Sequence, residues 1–277
     1  MIKVSNIVKK YGDIIALDDL SLEIKDDRIF GLLGVNGAGK TTLLSILNGL
    51  IDVDEGKVEV FGLDMKYHAK EIKDISSIIP QHLAFYEKLT VKENLDFFSQ
   101  IQKAKKANYE NALEINSLEY LLNQKASTLS GGQKRRLNIA IGLLNDPKII
   151  YFDEPTVGVD PKSRNEILDS IKRYRELGIT VVYTSHYMTE IEKICDEVAI
   201  IDKGKLVKQD LLDNLLSNRV SDKISVEIIP NENIKSLNIQ LRDNCIIKTT
   251  KSELFQLLQI LEDNNIYIKQ IRYGASN

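Results

Sequence analysis

The stretch Gly34-Val-Asn36-Gly37-Ala38-Gly39-Lys40-Thr41 leaves a chain few ways to fold around it. It carries the full spacing G-x-x-x-x-G-K-[ST]. Before it stands an apolar run, Ile29 to Leu33, that reads as a buried strand. After it comes a helix from about Lys40 to Gly49 with Leu43, Leu44, Ile46 and Leu47 on one face. Gly34, Gly37 and Gly39 let the loop turn tightly, so that backbone N–H groups converge on an anion. The helix that starts there adds the positive end of its dipole. In such a loop Lys40 reaches the β- and γ-phosphates of a nucleotide and the Thr41 hydroxyl ligates Mg²⁺, while Asn36, Ala38 and Thr42 complete the cradle.

A second apolar run, Ile149-Ile-Tyr-Phe152, ends in Asp153-Glu154. In an open α/β sheet, ligands sit at the carboxyl ends of strands, where these two acids emerge. Asp153 suits Mg²⁺, which prefers oxygen ligands and keeps part of its water shell. Glu154 can polarise a water for attack on a γ-phosphoryl group. The alternative reading is a solvated turn before Pro155. Leu129-Ser130-Gly131-Gly132-Gln133 opens another helix, with Ser130 and Gln133 at capping-box spacing and two glycines that leave N–H groups exposed. It is either a second anion-binding helix end or only a well-capped helix.

With Leu-Ser-Gly-Gly-Gln about twenty residues before a strand ending in Asp-Glu, and well after the phosphate loop, residues 2 to about 215 resemble the ATP-binding cassette (ABC) family. The resemblance implies an α/β fold: a P-loop NTPase core with an N-terminal antiparallel β portion and a helical subdomain over about 83–145. It also implies a head-to-tail dimer that encloses two ATP molecules with Mg²⁺. Each ATP would lie between the phosphate loop of one subunit and Ser130, Gly131, Gly132 and Gln133 of the other. By the same likeness Tyr11 stacks on adenine, Gln81 approaches Mg²⁺ and the attacking water, and His186 contacts the γ-phosphate. Asp160, in Gly158-Val-Asp-Pro161, would link the two sites; Val159 stands where the family more often has Leu. The bland competitors are a strand-end aromatic, a loop amide, a helix cap and a turn start, respectively.

The rest of the chain bounds the function. Its 277 residues suit one large domain and a smaller one, expected at 1–217 and 218–277. Lys+Arg 37 against Asp+Glu 40 gives a net charge of −3 with both signs interspersed, so no nucleic-acid partner is expected. Cys195 and Cys245 are far apart, and His68, His82 and His186 are too scattered for a metal site. The N-terminus runs into a strand pattern without a signal-peptide block. No segment approaches the roughly 18 apolar residues of a membrane span, so a separate transmembrane subunit would have to cross the bilayer. Strands alternate with helices up to about Ile201, which argues for a parallel sheet. After Asn218 a small α+β unit is expected, with strands at 224–228, 245–247 and 266–268 and a helix from Ser252 to Glu262.

Leu83 to Leu95, with Ser130 to Leu137, is most similar to bacterial ABC-2-type exporter ATPases, which serve drug, antibiotic, sodium or polysaccharide efflux. That branch implies a separately encoded permease, membrane contact only through it, and a cytoplasmic, peripheral place on the inner face of the cell membrane. The cassettes would pair as a homodimer or a heterodimer. Residues from Gln81 to about Phe98 would receive a short permease helix. A soluble ABC ATPase acting on nucleic acid or the ribosome is disfavoured by the single phosphate loop and the balanced charge. A regulatory module that binds ATP without turnover has no need of Glu154. The C-terminal unit could stabilise the dimer, sense a ligand or pack passively.

Overall fold

Ile149–Phe152 and Thr180–Ser185 are buried at every position, the pattern of strands covered on both faces. The protein's structure, a computed structural model, describes residues 1–219, 224–229, 234, 241–242, 245–249 and 254–273. The chain forms two compact units, Met1–Leu212 and Asp213–Asn277.

The first unit begins with β1 (Ile2–Tyr11), β2 (Ile14–Ile24), β3 (Ile29–Leu33), α1 (Lys40–Leu47), β4 (Glu55–Val60), β5 (Leu63–Asp64), α2 (Met65–Asp74) and β6 (Ser76–Ile79). It continues with α3 (Val91–Gln102), α4 (Lys106–Ile115), α5 (Gly131–Leu143), β7 (Ile149–Phe152) and α6 (Pro161–Glu176). Then come β8 (Thr180–Ser185), α7 (Met188–Ile194), β9 (Glu197–Asp202) and β10 (Lys205–Leu211).

Six strands form one sheet in the order β10-β9-β3-β8-β7-β6. Its five strands from β9 to β6 run parallel, and β10 joins the edge antiparallel. A second, antiparallel sheet has the order β2-β1-β4-β5. One core joins both sheets through α1: Leu43, Leu44 and Leu47 are buried with Leu20, Tyr151 and Val182. The expected elements are present with small shifts. β4 begins at Glu55, which pairs with Val8 of β1. Three elements of this unit, β5, α2 and β10, were not expected.

Between the β6 and β7 strands the chain is helical, and its turns are held by side chains. Thr90 and Glu93 cap α3 reciprocally, and Ser130 and Gln133 do the same for α5. Buried Asn94 accepts the Tyr86 N–H at 2.8 Å and donates to the Tyr86 carbonyl at 2.9 Å. Buried Tyr174 of α6 donates its hydroxyl to Asn116 Oδ1 at 2.9 Å, which fastens this helical portion to the sheet-covering helix. Arg135, on the inner side of α5, donates to the carbonyls of Pro80 and Gln81 at 2.9 and 2.6 Å.

The second unit begins at the second residue of α8 (Leu212–Arg219) and contains β11 (Ile224–Ile229), β12 (Leu241–Arg242), β13 (Ile246–Thr249), α9 (Leu254–Asp263) and β14 (Tyr267–Tyr273). Its antiparallel sheet has the order β12-β13-β11-β14, with Val226, Ile228, Ile247, Leu257, Leu261 and Ile266 in its core. The helix expected from Ser252 is described from Leu254; Ser252 and Glu253 lie outside the described residues.

Gly132 shows how closely α5 meets α6. A Cβ built there would stand 2.3 Å from both Cβ and Oγ of Ser163. Gly132→Ala is expected to cost about 1–3 kcal/mol by overpacking, read as a lower denaturation midpoint. Adding Ser163→Gly is expected to restore part of that loss; an unchanged midpoint for Gly132→Ala alone would mean the helices part freely.

Candidate functional site

Four neighbouring parallel strands, β3, β8, β7 and β6, deliver four loops to one end of the sheet. The loop after β3 carries Gly34 to Gly39, and α1 begins at Lys40. After β8 stands His186, after β7 Asp153 and Glu154, and after β6 Pro80 and Gln81. This is the end at which parallel sheets place ligands.

A cleft of about 390 Å³ opens there, lined by Asn36, Gly37, Gly39, Lys40, Thr41, Thr42, Gln81 and Glu154 together with Tyr11, Ile14, Ile15 and Ala16. Gly39 is held at φ +104°, and a Cβ on it would meet the Ala16 carbonyl at 2.6 Å, so no other residue suits the position. Ala38 is buried beneath the loop. Gly34 lies against the Ile201 carbonyl, which a Cβ would approach to 2.5 Å.

Lys40 is 4% exposed, and its ammonium needs compensation. Its Nζ donates to the carbonyls of Gly34 and Val35 at 2.7 and 3.2 Å and lies 3.1 Å from Glu154 Oε1. The other oxygen of Glu154 is 3.4 Å from His186 Nδ1. Glu154 therefore sits between a lysine and a histidine. Its backbone has φ +46°, a conformation that costs a side-chain-bearing residue and is kept where the surroundings over-determine it. Thr41 Oγ1 is 3.1 and 2.9 Å from the two oxygens of Asp153.

Thr184 is a site residue that the sequence did not disclose. Its Oγ1 accepts the Glu154 N–H at 2.9 Å and lies 3.1 Å from Asp153 Oδ1, so one hydroxyl steadies both acids. Ile14, Ile15 and Ala16 were also missed. Tyr11, Ile14 and Ile15 are 50%, 70% and 49% exposed, an apolar wall that suits the face of a base. The sequence signal was two isoleucines just past the Gly12-Asp13 turn, where a solvent-facing hairpin tip would ordinarily be polar.

Ser130 to Gln133 and Asp160 do not line this cleft. They lie together elsewhere: a Cβ on Gly131 would be 3.9 Å from the Gly158 carbonyl, and Gly132 rests on Ser163. Ser130 Oγ accepts the Gln133 N–H, and its hydroxyl hydrogen remains able to donate outward. Asp160 caps α6 by accepting from the N–H groups of Lys162 and Ser163 at 3.1 and 3.0 Å, and the Ser163 bond in particular holds its carboxyl below the usual range. Cys195 is buried, which pushes its thiol pKa up and leaves it inert. A groove of about 440 Å³ lies along Asp52–Met65 on the far side of α1. Two of its four acids are engaged, Asp54 with Lys9 and Asp64 with Lys57, and no residue of the phosphate loop lines it, so the chemistry belongs to the smaller cleft.

The ABC transporter family model matches residues 17–157. The linearmycin resistance ATP-binding protein LnrL of Bacillus subtilis (strain 168) is 41% identical over 229 residues, which cover 81% of this chain and 73% of that protein. The Nod factor export ATP-binding protein I of Rhizobium etli is 34% identical over 224 residues, 78% of this chain and 71% of that one. A bacterial ABC transporter cassette solved as a dimer superposes with a TM-score of 0.68 at 28% identity, over 76% of this chain and 99% of that one. Among the described residues no helix is long and apolar enough to cross a membrane. The chain belongs to the ABC transporter family and is one of its ATP-binding, ATP-hydrolysing subunits.

Proposed function

We propose that this chain powers an exporter by closing, as one of two cassettes, on two ATP molecules bound with Mg²⁺. The observation that supports this most is the division of the motifs. Lys40, Thr41, Gln81 and Glu154 share one cleft, whereas Ser130 to Gln133 stand outside it beside Asp160. A helix end with free N–H groups outside the cleft can serve a nucleotide held by another molecule. Asp160, exposed at the same surface, would meet the partner cassette.

Within one cleft, Tyr11 would stack on adenine against Ile14 and Ile15. Asn36 to Thr42 would wrap the phosphates, whose oxygens take the place of the Gly34 and Val35 carbonyls around Lys40. Glu154, freed from Lys40 by that exchange, would accept the proton of the attacking water. His186, beside Glu154, would donate to the γ-phosphate. The residues fit Mg²⁺, since the Thr41 hydroxyl and the Asp153 carboxylate are hard oxygen donors already in contact, with Gln81 lining the same cleft. The bound ion would neutralise charge on the β- and γ-phosphate oxygens.

A separate transmembrane permease is the partner this reading requires, and the chain would lie on the cytoplasmic face of the cell membrane through it. The surface after Gln81 supports such a contact. Leu83, Tyr86 and Phe97 are 41%, 51% and 39% exposed, with the Tyr86 and Phe97 rings edge to face at 5.1 Å. Exposed aromatic groups of this kind mark interaction surfaces. Residues 1–217 would act as the cassette. The name of the Nod factor relative supports the exporting direction.

Glu154→Gln is expected to lower steady-state hydrolysis at least 100-fold while leaving an ATP-filled dimer that survives gel filtration; near-normal turnover would assign the base elsewhere. The tagged chain, purified from gently solubilised membranes of its own cell, is expected to bring an integral membrane protein with it. Ribosomes or DNA in its place would favour the soluble alternative.

A further inference from the structure

Glu190 is a carboxylate that the reaction as described does not use. It sits on α7 and is 2% exposed, where an ionised side chain is costly unless its oxygens are satisfied. They are satisfied by three hydroxyls. Thr156 Oγ1 donates to Oε1 at 2.8 Å, and Tyr183 OH and Ser185 Oγ donate to Oε2 at 2.9 and 2.7 Å. Arg164 Nε lies 3.5 Å from Oε1. Burial and the Glu190 charge push the Tyr183 phenol well above its ordinary pKa, so it remains a donor.

The places of these partners matter more than their number. Thr156 follows Glu154 by two residues, in the loop that leads to Asp160. Ser185 immediately precedes His186, and its Oγ also accepts the Tyr187 N–H at 2.9 Å. Arg164 closes the arrangement: its guanidinium lies 5.4 Å from the Tyr187 ring and donates to the Val159 carbonyl at 3.5 Å. One buried carboxylate thus holds the loop after β7 and the loop after β8 at a fixed distance.

We propose that Glu190 is a positioning residue for hydrolysis: through Thr156 and Ser185 it sets His186 against Glu154 and steadies the Asp160 loop. The inference rests on the reading of Glu154 and His186 as the hydrolytic pair. Glu190 does not line the nucleotide cleft. Its loss therefore acts on turnover and not on ATP affinity.

The test measures kcat, KM for MgATP and the number of ATP analogues bound per chain, on the purified full chain. Glu190→Ala is expected to lower kcat at least tenfold with KM and binding stoichiometry within twofold. Glu190→Gln keeps the shape and one acceptor oxygen and is expected to recover to within about threefold of the unaltered chain. Thr156→Val with Ser185→Ala leaves the carboxylate in place, guards against a misfolded alanine variant, and is expected to show the same loss of kcat. Unchanged kcat in that pair, or losses of kcat and binding stoichiometry in equal measure, would overturn the proposal. Glu154→Gln serves as the control: wild-type turnover there would overturn the hydrolytic pair itself, whatever Glu190 does.

Discussion

A buried ammonium is the constraint around which the site is organised. Lys40 can sit at 4% exposure only because two carbonyls of its own loop and the Glu154 carboxylate surround it. That arrangement ties the phosphate loop to the acid at the end of β7. It also gives the cleft a defined response to a polyanion. Phosphate oxygens are better partners for an ammonium than carbonyls, because they carry a net negative charge and add a Coulomb attraction that a neutral carbonyl lacks. On the proposed reading, binding would then release Glu154 toward the space where a water would attack. The same contact that stabilises the loop would then keep the proposed base occupied until substrate arrives.

The parallel sheet supplies the rigidity this needs. β3, β8, β7 and β6 are adjacent, so the loops that carry Lys40, His186, Glu154 and Gln81 start within a few strand widths of one another. Threonine and glutamate side chains then refine the placement, Thr184 between the two acids and Glu190 between two loops. α5 extends the connection outward. Its first residues are the Ser130 turn, while Arg135 grips the backbone of Gln81. Arg135 thereby joins this helix by hydrogen bonds to the loop that leads to Leu83 and Tyr86.

Much of this was legible in the sequence because the motifs are local. The glycines and Lys40 lie within seven residues, and Asp153 and Glu154 are consecutive, so their spacing alone carries the chemistry. The α/β class followed from the alternation of apolar runs and helical stretches. α2 was illegible for a physical reason: it is short and mostly polar, and only Met65 and Ile72, with half-buried Ala69 between them, face the core. β10 is a part-exposed edge strand with Lys205, Lys208 and Gln209 along it, and such a strand has no clear alternation. Thr184 and Glu190 were hidden because they act on residues 30 and 34 positions away, distances that only the fold closes. Ile14 and Ile15 belong to no motif, and only the fold shows that they wall the cleft.

The central claim is that each site is completed by a second chain. Ser130→Arg would place a bulky cation where the partner's phosphates belong, and Lys40→Ala would empty the cradle; each variant alone is expected to be nearly inactive. Mixed in equal amounts, the two form heterodimers in which one site pairs an intact Lys40 with an intact Ser130. The account predicts recovered hydrolysis in the mixture, up to about a quarter of the unaltered rate if dimers assort at random and the sites fire independently. Activity no greater than the sum of the two variants, at any ratio at which heterodimers are detected, would contradict it.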